Sequence, residues 1–186
     1  MSDMTWDEKY TKSCDHTKSP SRFLVEQMGR LSRGRALDLA TGSGRNAIFL
    51  AMNGYEVDAL DYSSVAVSQL QSFVNQQSLP VTVKQEDLTD YRIPESTYDL
   101  IINFNYLERS LIPQIIKGLK PGGMILFETY TIEHARYGKP DNPDYLLKPN
   151  ELINSFKELH IIYYHERVDH SSEETKAIAS LLAQKP

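Results

Sequence analysis

Leu37-Asp38-Leu39-Ala40-Thr41-Gly42-Ser43-Gly44-Arg45-Asn46 is the stretch on which the fold turns. A short apolar run over residues 36–40 has the length of a buried strand. It ends in two glycines one residue apart, and helical spacing follows from near Asn46. Gly42 and Gly44 let the backbone turn sharply and approach a ligand with no Cβ in the way. A helix that starts just beyond them aims unpaired N–H groups, and the positive end of its dipole, at the same place.

Working outward, strand-like runs recur at 57–60, 81–83, 100–102 and 124–127, most of them separated by amphipathic segments. Ala66, Leu70, Phe73 and Val74 form one apolar stripe, and Ile112, Ile115, Ile116 and Leu119 form another. Ser63 or Ser64 caps the first of these helices, and Gly54 after Asn53 stops the helix that begins near Asn46. Pro121-Gly122-Gly123 reads as a turn before the fifth strand. Continuous apolar strands alternating with amphipathic helices predict an α/β protein, its mostly parallel sheet covered on both faces.

Both ends depart from the alternation. A Pro-, Asn- and Asp-rich loop (138–149) and a short helical segment through Leu152 and Phe156 precede two extended runs, 160–166 and 176–184. The short polar connection between these runs predicts an antiparallel hairpin. At the other end Leu24, Met28 and Leu31 place a helix within 20–31, and the preceding residues, with Trp6 and Tyr10, read as an arm or a lid.

At 186 residues the chain is expected to form a single domain, with 1–18 as the arm and 19–186 as the core. Its composition, 40% hydrophobic and 24% charged, is that of a globular chain, and a formal net charge of −5 disfavours nucleic-acid and anionic-lipid partners. One cysteine, Cys14, and a polar N-terminus point to a reduced, cytoplasmic protein, and no run is apolar enough to span a membrane. Cys14 reads as a flexible-arm thiol. His160, His165 and His170 recur at five-residue spacing, but strand alternation turns the first two to opposite faces, so no metal site is expected.

Asp61 closes the second strand roughly 20 residues beyond the loop, where a carboxylate is suited to accept both hydroxyls of a ribose. Loop and acid together read as nucleoside binding. The run from Gly42 to Ala47 also satisfies the dinucleotide pattern with alanine in third place, so a nicotinamide-dependent oxidoreductase is one alternative and a non-catalytic nucleotide-binding module another. Against the dinucleotide stands Asp38, which would repel a pyrophosphate yet pair with an ammonium. A dinucleotide site also needs a second mononucleotide-binding half, and no parallel second half is evident.

Asp38-x-Ala40-x-Gly42-x-Gly44, Asp61, Asp87, the fourth-strand run Tyr98-Asp99-Leu100-Ile101-Ile102-Asn103, and Leu119-Lys120-Pro121-Gly122-Gly123 together resemble the class I S-adenosylmethionine-dependent methyltransferases. Trp6-Asp7-Glu8-Lys9-Tyr10, Gly44-Arg45-Asn46 and the stretch Asn142 to Leu147 are similar to a small bacterial branch grouped with tellurite-resistance methyltransferases. The resemblance implies a three-layer Rossmann-like fold whose seven-stranded, mostly parallel sheet ends in an antiparallel hairpin. It implies S-adenosylmethionine as cofactor, S-adenosylhomocysteine as product and a small molecule as acceptor. By similarity Asp38 and the backbone of Ala40, Thr41, Gly42 and Gly44 hold the methionine portion and Asp61 the ribose, with Arg45 and Asn46 also cofactor-binding. Tyr62, Asp87 and Leu88 lie about the adenine, and Asn103 and Phe104 line the site. Asn105, Tyr106, Tyr130 and Arg136 are candidates for the acceptor side. Ala40 stands where the family loop has its first glycine, a replacement tolerated if φ there stays negative. No general base stands out, which favours a soft nucleophile such as a thiol or a tellurium or selenium oxyanion.

Overall fold

The protein is described from a computed structural model, over residues 5–13, 19–170 and 174–186. Cys14 and the centre of the polar connection at 171–173 lie outside the described residues. The chain clusters into two compact units, Met1–Arg92 and Ile93–Pro186. Among the described residues no helix is long and apolar enough to cross a membrane.

The first unit opens with α1 (Trp6–Ser13) and α2 (Arg22–Gln27), the latter running on into a 3₁₀ turn over Met28–Arg30. Then come β1 (Arg35–Leu39), α3 (Arg45–Met52), β2 (Glu56–Asp61), α4 (Ser64–Gln77) and β3 (Val81–Gln85). Both strand pairs are parallel. Leu39 lies opposite Leu60, so β1 and β2 end level with each other, and the chain leaving β1 emerges beside Asp61. Ala36, Leu37, Leu39, Ala59 and Leu60 are fully buried on both sides of the pleat, as expected of parallel strands covered by helices. The expected caps are present. Ser63 accepts the Ala66 N–H to start α4, and Gly54, at φ 88°, follows Asn53 at the end of α3.

The second unit holds β4 (Tyr98–Phe104), α5 (Ile112–Gly118), β5 (Leu119–Tyr130), α6 (Glu151–Ser155), β6 (His160–Asp169) and β7 (Lys176–Gln184). β4 and β5 are parallel, whereas β7 runs antiparallel to both β5 and β6. The seven-stranded, mostly parallel sheet with its terminal hairpin is therefore observed, ordered β3-β2-β1 in the first unit and β4-β5-β7-β6 in the second. Residues 177–183 of β7 are all buried, and Phe127 of β5 packs against Phe156 with ring centroids 5.8 Å apart.

Three local expectations are corrected. Pro121-Gly122-Gly123 is not a turn ahead of the fifth strand but a bulge inside β5. The pairing jumps from Tyr98↔Leu119 to Leu100↔Met124, with Gly122 at φ 77°. Leu119 accordingly belongs to the strand and not to the helix stripe. Ala40 does not keep a negative φ: it sits at +53°, in the left-handed region, because Thr41 must turn back to donate its N–H to Leu60 O at 2.8 Å.

An alanine in that region carries about 1 kcal/mol of strain. Ala40→Gly is therefore expected to stabilise the protein by about 0.5–1 kcal/mol. Gly44→Ala should destabilise it by more than about 2 kcal/mol, since its Cβ would fall 2.3 Å from Leu70 Cδ1 at φ +82°. Urea midpoints of the two variants on opposite sides of the parent check both; a stabilising Gly44→Ala would contradict this geometry.

Candidate functional site

Three left-handed residues, Ala40, Gly42 and Gly44 at φ 53°, 57° and 82°, alternate with ordinary ones in the loop after β1. Within it the Thr41 N–H donates to Leu60 O at 2.8 Å and the Gly44 N–H to Thr41 O at 3.0 Å, which leaves the Gly42 N–H to an acceptor from outside the loop. Asp61 fills that role. Its Oδ2 accepts the Gly42 N–H at 2.7 Å and its Oδ1 the Ser63 N–H at 2.9 Å. The carboxylate thus ties the glycine loop to the start of α4.

Asp38 lies one layer deeper, 2% exposed. Its Oδ2 accepts the Thr41 hydroxyl at 2.6 Å, and it also takes the Ala47 N–H at the start of α3. Burial pushes its carboxyl up to about 7; the Thr41 hydroxyl opposes that shift, nearby Asp61 adds to it, and Arg45 opposes it. Asp61 is likewise raised by burial, against the pull of its three backbone N–H partners, Ser63, Gly42 and Tyr62. Two acids both raised by burial form a site that a cation would complete.

The other expected residues of this unit divide. Arg45 and Asn46 turn away from the loop and hold Ser21 at the start of α2. Asn46 Oδ1 accepts the Ser21 N–H at 2.8 Å, and Arg45 donates to the Ser21 hydroxyl at 3.2 Å. Tyr62 follows Asp61 with its ring 63% exposed. Leu88 is buried beyond β3. The exposed Asp87 closes its own turn, its Oδ1 accepting the N–H and hydroxyl of Thr89 at 2.9 and 2.7 Å, which holds its carboxyl below the usual range.

Sequence reasoning missed Asp7 as a site residue. From α1 it accepts the Ser63 hydroxyl at 2.5 Å and the Ser64 hydroxyl at 3.2 Å, and the Ser63 bond chiefly holds its carboxyl below the ordinary value. Tyr10, one turn on, places its phenol oxygen over Gly42, within 2.6 Å of where a Cβ would stand. The serines beside Asp61 were legible as a cap, but nothing in the spacing tied them to a residue more than fifty positions earlier.

In the second unit Asn103 is buried and donates its amide to Tyr106 O at 2.7 Å, which folds residues 103–106 into a tight turn past β4. Phe104 is buried, while Asn105, at φ 57°, donates its N–H to Glu128 O. Tyr130 stacks on His134 at 4.2 Å. Arg136 lines a cavity of about 510 Å³ with Thr131, Ile132, Glu133 and Arg167. Two further arrangements gave no sequence signal. Arg109 binds Glu151 and the carbonyls of Asp144 and Leu146, pinning the Pro/Asn/Asp-rich loop. Glu128, raised by burial, is held by Ser180 at 2.5 Å and by Arg167.

Comparison with known proteins follows the same lines. The family model described as "Tellurite resistance protein TehB" matches residues 3–178. A Haemophilus influenzae protein named "Probable S-adenosyl-L-methionine-dependent methyltransferase TehB" is 27% identical over 96% of this chain and 66% of its own length. The crystal structure of TehB from Haemophilus influenzae superposes with a TM-score of 0.79 at 22% identity, over 98% of this chain and 68% of that one. A SAM-dependent methyltransferase from Aquifex aeolicus gives 0.70 at 18% identity, over 97% and 98%. The chain spans about half to two thirds of the length of the curated relatives it matches.

The buried Asp38 charge generates a pH-dependent prediction. Its native carboxyl stands at about 7 against 3.8 unfolded, so ionising it opposes folding as pH rises between those values. Asp38→Asn keeps an acceptor for Thr41 and should stabilise the ligand-free protein by about 2–4 kcal/mol at pH 8. The gain shrinks as pH falls below 7 and vanishes near 4. Thermal unfolding across this range checks it, and a gain independent of pH would contradict the assignment.

Proposed function

The chain belongs to the TehB family of tellurite resistance proteins, and from that premise we propose that it is an S-adenosylmethionine-dependent methyltransferase acting on a small molecule. One observation carries the reading above all: the Asp61 carboxylate sits against the N–H of Gly42 at 2.7 Å, at the level where β1 and β2 end. A ribose there meets an acceptor for its hydroxyls while its backbone neighbour carries no Cβ. Asp38 fits the ammonium of the methionine portion, because a buried carboxyl pushed up to about 7 gains most from a cation beside it. The residues present therefore suit this cofactor, and a pyrophosphate beside Asp38 would be repelled.

When bound, the cofactor supplies an electrophilic methyl on a charged sulfur. The protein's own part is positional. The Ala40–Gly44 backbone and Asp61 fix one partner, Leu88 supplies an apolar wall, and water is kept from the reacting atoms. Asn105, Tyr106, Tyr130 and Arg136 are proposed to face the acceptor, with Asn103 and Phe104 shaping the approach. The one imidazole in the loop after β5 is engaged: His134 places one ring nitrogen on Lys139 O at 3.1 Å and accepts the Ala177 N–H on the other at 3.4 Å. An acceptor that needs no base fits this loop best, a thiolate or a tellurium or selenium oxyanion. The family's description as a tellurite resistance protein supports the oxyanion. The single cysteine suits a reducing cytoplasm as the place of work. Residues 1–186 are read as one working domain with 1–18 as its lid.

S-adenosylmethionine, and not NAD, is expected to raise the melting temperature. Methyl transfer to tellurite or selenite should exceed that to phenols in a direct screen. Asp61→Ala should weaken S-adenosylhomocysteine binding by about 2–4 kcal/mol in calorimetry; unchanged affinity in a folded variant would refute the ribose assignment. Removal of residues 1–18 is expected to leave cooperative unfolding intact and to slow turnover.

A further inference from the structure

Two of the backbone donors that hold Asp61 are each roofed by a side chain of α1. Gly42 lies under the Tyr10 phenol, and the Ser63 hydroxyl donates to Asp7 at 2.5 Å. Asp61 itself is only 6% exposed, although a ligand at the end of β2 has to reach it. The Ser63 hydroxyl is used in both directions: it accepts the Ala66 N–H as the cap of α4 and gives its own proton to Asp7. Ser64 adds a second hydroxyl to Asp7 at 3.2 Å. The Asp7 carboxylate also takes the backbone N–H groups of Ser64 and Val65 in the first turn of α4. An eight-residue helix is too short to hold its own conformation in water. The Asp7 carboxylate and the packing of Tyr10 contribute to its closure.

We propose that Asp7 is a positioning residue: its bonds to Ser63 and Ser64 latch α1 as a lid over Asp61, and this latch sets how fast a nucleoside enters and leaves. The inference rests on the nucleoside reading of the loop given above. Asp7 acts through Ser63 and does not touch the reacting atoms. A ribose reaching Asp61 has to lift Tyr10 from Gly42, so the latch opens for entry and closes behind the ligand. A lid that is closed when empty slows association as well as release. Freeing it raises both rate constants together while their ratio, the dissociation constant, moves little. Loss of a direct ligand contact would instead raise the release rate alone.

Trp6, the one tryptophan of the chain, stacks on Tyr10 with centroids 6.3 Å apart, so its fluorescence reports whether α1 is seated. The test compares Asp7→Ala and Asp7→Asn with the parent in the full chain. In Asp7→Ala without ligand, Trp6 anisotropy should fall and acrylamide quenching should rise, with cooperative unfolding retained. In stopped flow with S-adenosylhomocysteine, association and release should each accelerate about tenfold, the change that 1.4 kcal/mol of latch energy produces. Asp7→Asn, which keeps an acceptor for Ser63, should fall between parent and Asp7→Ala. Unchanged Trp6 quenching overturns the latch, as does faster release with unchanged association. If the parent chain fails to bind S-adenosylhomocysteine, the proposed function falls, and Trp6 quenching alone decides whether Asp7 seats α1. Should Asp7→Ala not fold, the same quenching and rate comparison is read from Asp7→Asn.

Discussion

The pair of hydrogen bonds from Gly42 N–H and Ser63 N–H to the Asp61 carboxylate is the point on which the first unit's ligand end depends. β1 and β2 stop level with each other, so two loops leave the strands side by side, and their Gly42 and Ser63 N–H groups need an acceptor beyond the strand ladder. Unpaired donors at such a depth are unfavourable by a few kcal/mol if nothing accepts them. One carboxylate answers both, and in doing so sets the path of the glycine loop and the first turn of α4. The left-handed residues Ala40 and Gly42 lie on this path, and Gly44, also left-handed, caps α3 just beyond it. The strained alanine at position 40 is thus held there by its surroundings.

Acidic charge is concentrated around the same loop. Asp38 is buried beneath it, Asp61 stands at its edge, and Asp7 reaches Ser63 from the other side. In the ligand-free protein this is unfavourable: burial raises both Asp38 and Asp61, and each feels a neighbouring acid. Such stored repulsion is released by a cation and aggravated by an anion, so the electrostatics select for a positively charged ligand end. The hydroxyl and N–H donors at Thr41, Ser63 and Gly42 keep the acids in place meanwhile.

The second unit solves a different problem. Its residues past β4 and β5 belong to loops and not to a strand-helix turn, and loops are held by specific bonds instead of by period. Asn103 clamps the turn to Tyr106, His134 spans Lys139 and Ala177 under the Tyr130 ring, and Arg109 gathers Asp144, Leu146 and Glu151. None of these pairs has a spacing rule. Arg109 and Glu151 are forty-two positions apart, and either could have been a solvated surface charge.

Strand, glycine loop, helix and closing acid were legible because each is local: apolar period, Gly42, Gly44 and Asp61 lie within one βαβ unit, and their meaning follows from backbone sterics and helix dipoles. The caps at Ser63 and Gly54 and the antiparallel hairpin were read on the same footing, whereas the resemblance to tellurite-resistance methyltransferases rested on motifs. What only the tertiary structure decided is where long-range partners fall. The level ends of β1 and β2 force Ala40 to a positive φ, a long bulge draws Pro121-Gly122-Gly123 into β5, and Arg45 and Asn46 are spent on Ser21. Asp7 and Tyr10 become part of the site because α1 folds back onto α4 and Gly42. Sequence carries periodicity and local torsional preference directly. Which donor meets which acceptor across fifty residues is set by packing, and packing exists only once the chain has folded.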